Sequence, residues 1–533
     1  MCRPTLTLPW PSSGKPFIER FTLNLLTTSH WLYPSANNVT TLTLSYSLKG
    51  LTGAIEKGAA ESKGRDYFFV TEEDDQSPWC SLPDIIMEQV FSYLNVRERY
   101  YSSMVCRRWR DAFYLPYVWS IFTFEESTLT RRRFNYYSGW QFTLDHLRAQ
   151  LCLGTVGRHF RVLIFSPMTN FYNMYEFMNM VSYYTEQQGA DKFTVKGVGK
   201  NIHTLRYTFP CRLLSGDDEN QQLHVYGTGG KLLAAVKRLM GNLKKLRRLE
   251  LIDLMLDSAE AQTLLDDVCS DCCTTLKFLS IINFTKGQCQ LIHVGVFLNL
   301  RVLVLSPQNI GEDALELLSY TKLRHLHLAQ TRLTPSSAVP LSPKAWKLAA
   351  KRNTDMRIHL TLSSKIQTDI IWQEEAPVST VLFDSPHCKL EPEILTRVTL
   401  WYKKSLTVFG YLGLPKYSQP KSFKERIDPL LLMLIKDCTQ LETLIVRERI
   451  STATILLIVD NGPSLKNFFV RRNAVILRCD WPRNPSWDSS YYSWLRNGAS
   501  SYDQTEKEVS KCFGYKWQML SDKEFKKLDI RLY

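Results

Sequence analysis

A short apolar motif returns at nearly even spacing through the middle of the chain, and it limits the possible folds more than any other feature. The motif is apolar-x-x-apolar-x-apolar, usually just after a stretch with helical periodicity. Clear copies are Leu246-x-x-Leu249-x-Leu251-x-x-Leu254, Leu276-x-x-Leu279-x-Ile281, Leu300-x-x-Leu303-x-Leu305 and Leu323-x-x-Leu326-x-Leu328. Their starts lie 30, 24 and 23 residues apart. Weaker copies begin at Phe160, Ile202, Val378, Leu406, Leu441 and Leu465, the last two 24 apart. A unit this short cannot bury its own apolar face, so neighbours must stack and share one core.

Helical segments lie between the copies. Leu232, Leu233, Val236, Leu239 and Met240 mark one face, stopped near Gly241-Asn242. Leu264, Leu265 and Val268 mark a second, and Leu315, Leu317 and Leu318 a third. Asp428-Pro429 reads as a cap followed by a first-turn proline. The period is that of leucine-rich repeats. The expected fold over residues 121–475 is therefore an irregular α/β solenoid, with parallel strands on its concave side. Asn is mostly missing from the ninth position of the repeat, and an ordinary α/β domain is the other architecture this pattern allows.

The block before the repeats, about 78–120, reads as three short helices. Ser81 can cap the first, with Pro83 and Asp84 suited to its first turn. Ile85, Ile86, Val90, Phe91 and Leu94 fall on or beside one helical face. Asn95 with Glu98 fits a second cap, and that helix carries Tyr100, Tyr101 and Met104 towards Val105 and Cys106. Arg107 to Tyr114 forms the third, with Trp109 and Phe113 four apart on one side and Pro116 ending it. About 40 residues cannot bury a full core alone, so a partner or the next domain must cover the apolar face.

Outside these blocks the chain is less regular. Residues 1–64 are rich in Ser, Thr, Pro, Gly and Asn without a sustained period, and are expected to form a weakly ordered arm. An acidic run, Glu72-Glu73-Asp74-Asp75, follows. From about 471 the repeat breaks. Residues 476–533, with Tyr491, Tyr492, Trp494, Trp517 and Leu520 as anchors, are expected to cap the solenoid or to recognise a partner.

Composition narrows the setting. Among 533 residues 44% are hydrophobic and 22% charged, which suits a large core. No apolar run reaches the ~18 residues of a membrane span, and the start lacks the pattern of a signal peptide. Asn38-Val39-Thr40 therefore carries no weight as a glycosylation site. Thirteen cysteines, an odd number without framework spacing, favour a reduced cytoplasmic or nuclear compartment. The net charge of +14 concentrates at Arg131-Arg132-Arg133, Lys237-Arg238, Lys244-Lys245 and Arg247-Arg248. Such runs favour acidic partners or form a solvated surface. In sequence they lack the interleaved aromatics of single-strand nucleic-acid binding, so nucleic acid is not expected as the main partner.

Catalytic constellations are missing. No phosphate loop, nucleophile elbow or His-Glu-x-x-His zinc motif occurs. Cys269, Cys272 and Cys273 lack a second Cys/His pair at zinc spacing, and His325 with His327 lacks a third ligand. Neither a cofactor nor a metal is expected.

The series Trp79, Leu82-Pro83, Val90-Phe91-Ser92-Tyr93-Leu94, Val105-Cys106-Arg107-Arg108-Trp109 and Trp119 resembles the F-box. The whole chain resembles F-box proteins with leucine-rich-like repeats. Trp346-Lys347, Phe383-Asp384-Ser385, Asp428-Pro429-Leu430 and Cys438-Thr439-x-Leu441 resemble the group of F-box only protein 33. One departure is Glu98-Arg99, where the family has Asp-Leu. Losing that leucine is expected to weaken a packing contact.

The resemblance implies a non-catalytic substrate receptor of a ubiquitin ligase. Its F-box would bind the Skp adaptor, and through it a cullin scaffold and a RING subunit. Leu82, Pro83, Ile85, Ile86, Val90, Phe91 and Leu94 would face the adaptor or support that face. Val105, Cys106 and Trp109 would complete it, and Trp119 would weld the box to the repeats. Polar positions of the concave face, among them Arg248, Glu250, Lys277, Ser280, Arg301, Arg324 and His327, would choose an unknown protein substrate. Two rivals stand beside this reading. One is an adaptor-bound scaffold outside the ligase, and the other is a basic solenoid that binds RNA.

Overall fold

The computed structural model describes residues 78–79, 81–137, 139–187, 197–211, 227–363 and 370–530. The expected arm at 1–64 and the acidic run lie outside them. Val70–Tyr533 forms one compact unit.

The first helix spans Asp84–Ser92, the second Val96–Ser102 and the third Arg107–Phe113. The expected cap at Ser81 is not made. Pro83 holds the N-cap position without a side-chain bond, and Ser81 Oγ donates to Pro78 O at 2.8 Å. Proline is extended here and leads straight into the helix, so the cap site falls two residues later than expected. The Asn95–Glu98 box does form, with both reciprocal bonds at 2.9 Å. Cys106 caps the third helix, its sulfur accepting from Trp109 N at 3.5 Å.

Strands follow in chain order. β1 is Ile121–Phe124, β2 Thr130–Asn135, β3 Gly139–Leu144, β4 Val162–Phe165, β5 Thr204–Thr208 and β6 Arg248–Ile252. β7 is Phe278–Ile282, β8 Val302–Leu305, β9 His325–Gln330, β10 Arg357–Leu362, β11 Val378–Phe383 and β12 Val408–Tyr411. β13 is Thr443–Val446, β14 Ile450–Ser451, β15 Asn467–Val470 and β16 Val475–Ile476. Twelve of them build one sheet in the order β1-β4-β5-β6-β7-β8-β9-β10-β11-β12-β13-β15. Neighbours in this sheet pair in parallel. β14 pairs with β16, and β2 with β3 forms an antiparallel hairpin. Sequential parallel strands joined by helices are a leucine-rich-repeat-like solenoid, so the ordinary α/β alternative falls away.

The register shows why the motif folds this way. Leu163, Leu205, Leu249, Leu279, Leu303, Leu326 and Ile358 stand opposite one another on successive strands. Each is at most 1% exposed. They form one face of the shared core, with the helices on that side. Truncating one such leucine costs roughly 2–5 kcal/mol. The ninth position, expected to carry Asn, is filled by fully buried Leu254 and Phe284 in the first two clear copies. Asp253 and Asn283 sit one residue earlier with φ of 61° and 49°, linked by a 2.6 Å hydrogen bond.

Asp428 is not a cap. It is the first residue of a helix, Asp428–Asp437, and its carboxylate is buried. It pairs with Arg426 at 3.1 Å and accepts from Ser451 N at 3.0 Å and Thr454 Oγ1 at 2.5 Å. One aspartate thus ties two successive repeats.

Helices Ser489–Gly498, Tyr502–Phe513 and Asp522–Lys526 follow the last strand. Leu520 N–H donates to Val470 O, and Trp517 Nε1 donates to Phe468 O at 2.6 Å. These bonds cover part of the β15 edge, which would otherwise offer open backbone groups. Phe525 reaches the sheet face opposite the core and is buried against Leu382 and Ile445. No described helix is long and apolar enough to cross a membrane.

Candidate adaptor and substrate faces

The F-box helices leave apolar side chains in solvent. Ile85 is 72% exposed and Ile86 40%, and Val105 is 44%. Pro83 is also exposed, while Leu82, Val90, Leu94 and Trp109 are half-buried. Phe91, Cys106 and Trp119 are buried, so they can support a partner face but not touch it. Tyr93, Tyr101 and Met104 join the exposed set and are absent from the expected face. Exposed apolar surface of this kind on a small three-helix unit marks a candidate partner-binding face.

Buried residues hold that unit rigid. Trp119 donates Nε1 to Phe113 O at 2.5 Å and meets the Phe113 ring edge-on at 5.0 Å. Phe91 packs edge-on to Trp109 at 5.7 Å. Trp119, Phe122 and Phe124 belong to the same continuous core as the repeats. The box therefore has no hinge of its own core at this junction.

Arg99 corrects the expectation of a weakened contact. Its side chain is buried, with Nε donating to Phe91 O at 3.1 Å and Leu94 O at 2.9 Å. The guanidinium also lies 5.0 Å over the Trp119 ring. It closes the carbonyl end of the first helix, where cations are favoured. Arg99 both packs and bonds.

The seven expected substrate residues divide into two sets. Arg248, Glu250, Ser280 and His327 lie on the sheet face away from the core. Glu250 is held between Arg248 at 2.6 Å and Arg206 at 3.6 Å. Arg248 stacks on Phe278 at 3.6 Å. Ser280 and His327 are buried. Lys277, Arg301 and Arg324 stand elsewhere, one residue before β7, β8 and β9 and exposed. Side chains alternate along a strand, so these three cannot share the face of Arg248 and Glu250.

A third histidine joins the expected pair. His359 on β10 lies opposite His327, with ring centroids 4.2 Å apart and 17° between planes. His325 Nδ1 and His359 Nε2 are 3.0 Å apart, and His359 Nδ1 meets Thr380 Oγ1 at 2.9 Å. Burial holds His327 down at about 3 and His359 at about 2, helped by the neighbouring histidines. The rings stack and bond to one another, so they do not converge on a common centre. Among the described residues no group could hold a metal ion. Burial also pushes the Cys269 and Cys272 thiols up to about 11.

The Arg131–Arg133 run does have aromatic company, contrary to the expectation from sequence. The β2–β3 hairpin brings Trp140 opposite Phe134 and sets Arg132 5.4 Å over the Trp140 ring. Phe134 and Trp140 are each 63% exposed, and Tyr136 and Tyr137 are almost fully so. A cleft of about 450 Å³ lies at the downstream ends of the strands, lined by Asp253, Asn283, Arg332, Ser385 and His387 among others.

Residues 79–125 match the family model described as F-box-like. A 47-residue stretch is 43% identical to F-box/LRR-repeat protein 21 of Mus musculus, covering 9% of this chain and 11% of that protein. The Ovis aries protein of the same name is 40% identical over 57 residues, covering 11% and 13%. The match thus spans little more than a tenth of these relatives. Among solved structures, an internalin from Listeria monocytogenes is 11% identical over 53% of this chain and 78% of its own, with a TM-score of 0.21. A leucine-rich-repeat protein of Leptospira interrogans is 13% identical over 63% and 77%, with a TM-score of 0.25. Scores this low carry no weight, and the solenoid stands on its own topology. The molecule is an F-box-like domain followed by a leucine-rich-repeat-like α/β solenoid.

Proposed function

We propose that this chain is the substrate-recognition subunit of a Skp–cullin–F-box ubiquitin ligase. One observation carries the reading: an F-box-like unit with Ile85, Ile86 and Val105 in solvent shares one core with a twelve-stranded solenoid. The exposed residues would seat the Skp adaptor, and the solenoid would hold the substrate. The chain itself does no chemistry in this reading. It fixes a substrate at a set distance from the conjugating enzyme, so an encounter between proteins becomes a local event. The shared core matters because a loose joint would dilute that proximity. A cytoplasmic or nuclear site of action belongs to the same proposal, as does kinship with the F-box only protein 33 group, which rests on four short sequence matches.

The test is purification of the tagged full chain from cells. Adaptor and cullin together are the expected companions. Adaptor without cullin would favour the scaffold role outside the ligase. Absence of both would overturn the reading.

A second reading has its own observation. The hairpin sets Arg132 and Arg133 beside the exposed rings of Phe134, Tyr136, Tyr137 and Trp140. Cations with open rings suit single-stranded RNA. Steep loss of RNA affinity with rising salt, and its loss in Trp140→Ala, would favour this role.

A further inference from the structure

The upstream edge of the sheet carries a line of basic side chains, five of them arginine or lysine. Arg161, His203, Arg247, Lys277, Arg301 and Arg324 hold the same position in successive repeats. Each donates its backbone N–H to the carbonyl of the one before, starting with Arg161 to Ser120, at 2.8–2.9 Å. Rungs set by parallel strands are ~4.8 Å apart, so the six span about 24 Å. Arg357 N–H then donates to Arg324 O and prolongs the charge.

The five arginine and lysine side chains are unneutralised. All but His203 are exposed. Among the described residues the five arginine and lysine rungs form no ion pair, whereas nearby Arg206 and Arg248 share Glu250. Farther along the same edge the chain does place an acid. Glu442 and Lys466 occupy successive rungs and pair at 2.7 Å. Burial, then the charges of Arg247 and Arg161, hold His203 below its usual range, so the rungs act on one another.

We propose that this edge docks an extended acidic segment of the substrate protein. The proposal rests on the substrate-receptor reading and names the chemistry of what is received. An extended chain advances ~3.3–3.6 Å per residue, so roughly seven residues match the six rungs. Apolar neighbours favour a polypeptide over a nucleic acid. The loops leading into β8 and β9 expose Leu298 and Tyr320, by 62% and 65%. An aliphatic side chain gives a base nothing to stack on, and Arg352 already lies 4.7 Å over the Tyr320 ring.

The experiment is fluorescence anisotropy on the full chain. One probe is a labelled peptide of about ten residues, rich in glutamate with two leucines, enough to span the rungs. The other is an oligouridine of equal charge. Wild type is compared with Lys277→Glu/Arg301→Glu/Arg324→Glu and with a control reversal, Lys403→Glu/Lys404→Glu/Lys424→Glu. The wild type and the control should bind the peptide alike, and the rung variant at least about tenfold more weakly, with affinity falling as salt rises. No peptide binding by wild type, or equal loss in both variants, would overturn the proposal. So would oligouridine binding tighter than the peptide and lost in the rung variant. Adaptor binding is measured beside it. Its retention by the rung variant confirms that the fold survives, and its absence in wild type would sink the receptor reading separately.

Discussion

Arg99 fills a leucine's place by different means. A leucine has no donor to offer the carbonyls at the end of the first helix. The guanidinium packs over the Trp119 ring and donates to Phe91 O and Leu94 O. Arg99→Met keeps much of the bulk but loses the hydrogen bonds of a charged donor, which costs about 1–3 kcal/mol. Amides of Asp84–Ser92 should then exchange about five- to a hundredfold faster. Unchanged exchange would contradict this account. Local signals of this scale are only half legible in sequence. The Asn95–Glu98 box could be read because both partners lie within one turn. The role of Arg99 could not, because its acceptors lie five and eight residues back and its ring partner lies twenty residues ahead.

At the scale of elements, the repeat is readable because most strands carry two or three buried apolar residues, leucines above all in the clear copies. β10 was missed, since Met356, Ile358 and Leu360 follow a long insertion and break the spacing. Missing β10 also hid the histidine stack, whose third member comes from that strand. The stack has a pH consequence. Burial keeps His327 and His359 neutral in the folded chain, at about 3 and about 2. In the unfolded chain they take protons below about pH 6.5. The unfolded state then binds more protons, so stability is complete above that pH and is lost as pH falls towards the folded values. The loss is roughly 1.4 kcal/mol per pH unit for each ring within that window. His325, itself lowered by burial and by Arg357 and Arg324, acts in the same direction. Melting temperature should therefore drop between pH 7.5 and pH 5.5, and less so in His327→Gln/His359→Gln. Equal slopes would contradict the assignment.

For the whole molecule, two features fix what can reach what. The F-box-like unit joins the solenoid through a continuous core, and Phe525 with its helix occupies the sheet face near β11 and β13. The open part of that face therefore lies over the earlier strands, where Arg248 and Glu250 are found. The motif could show that both halves exist. The resemblance gave Trp119 as their joint but not its partners, Phe113 and, from another helix, Arg99. If the exposed residues of the F-box-like unit seat the Skp adaptor, as proposed, purified full chain should bind purified adaptor. Ile85→Asp/Ile86→Asp changes only exposed side chains, so melting should be unaltered while adaptor affinity falls at least about tenfold, the loss of a few buried apolar contacts. Wild type that does not bind, or a double variant that binds equally well, would contradict the claim.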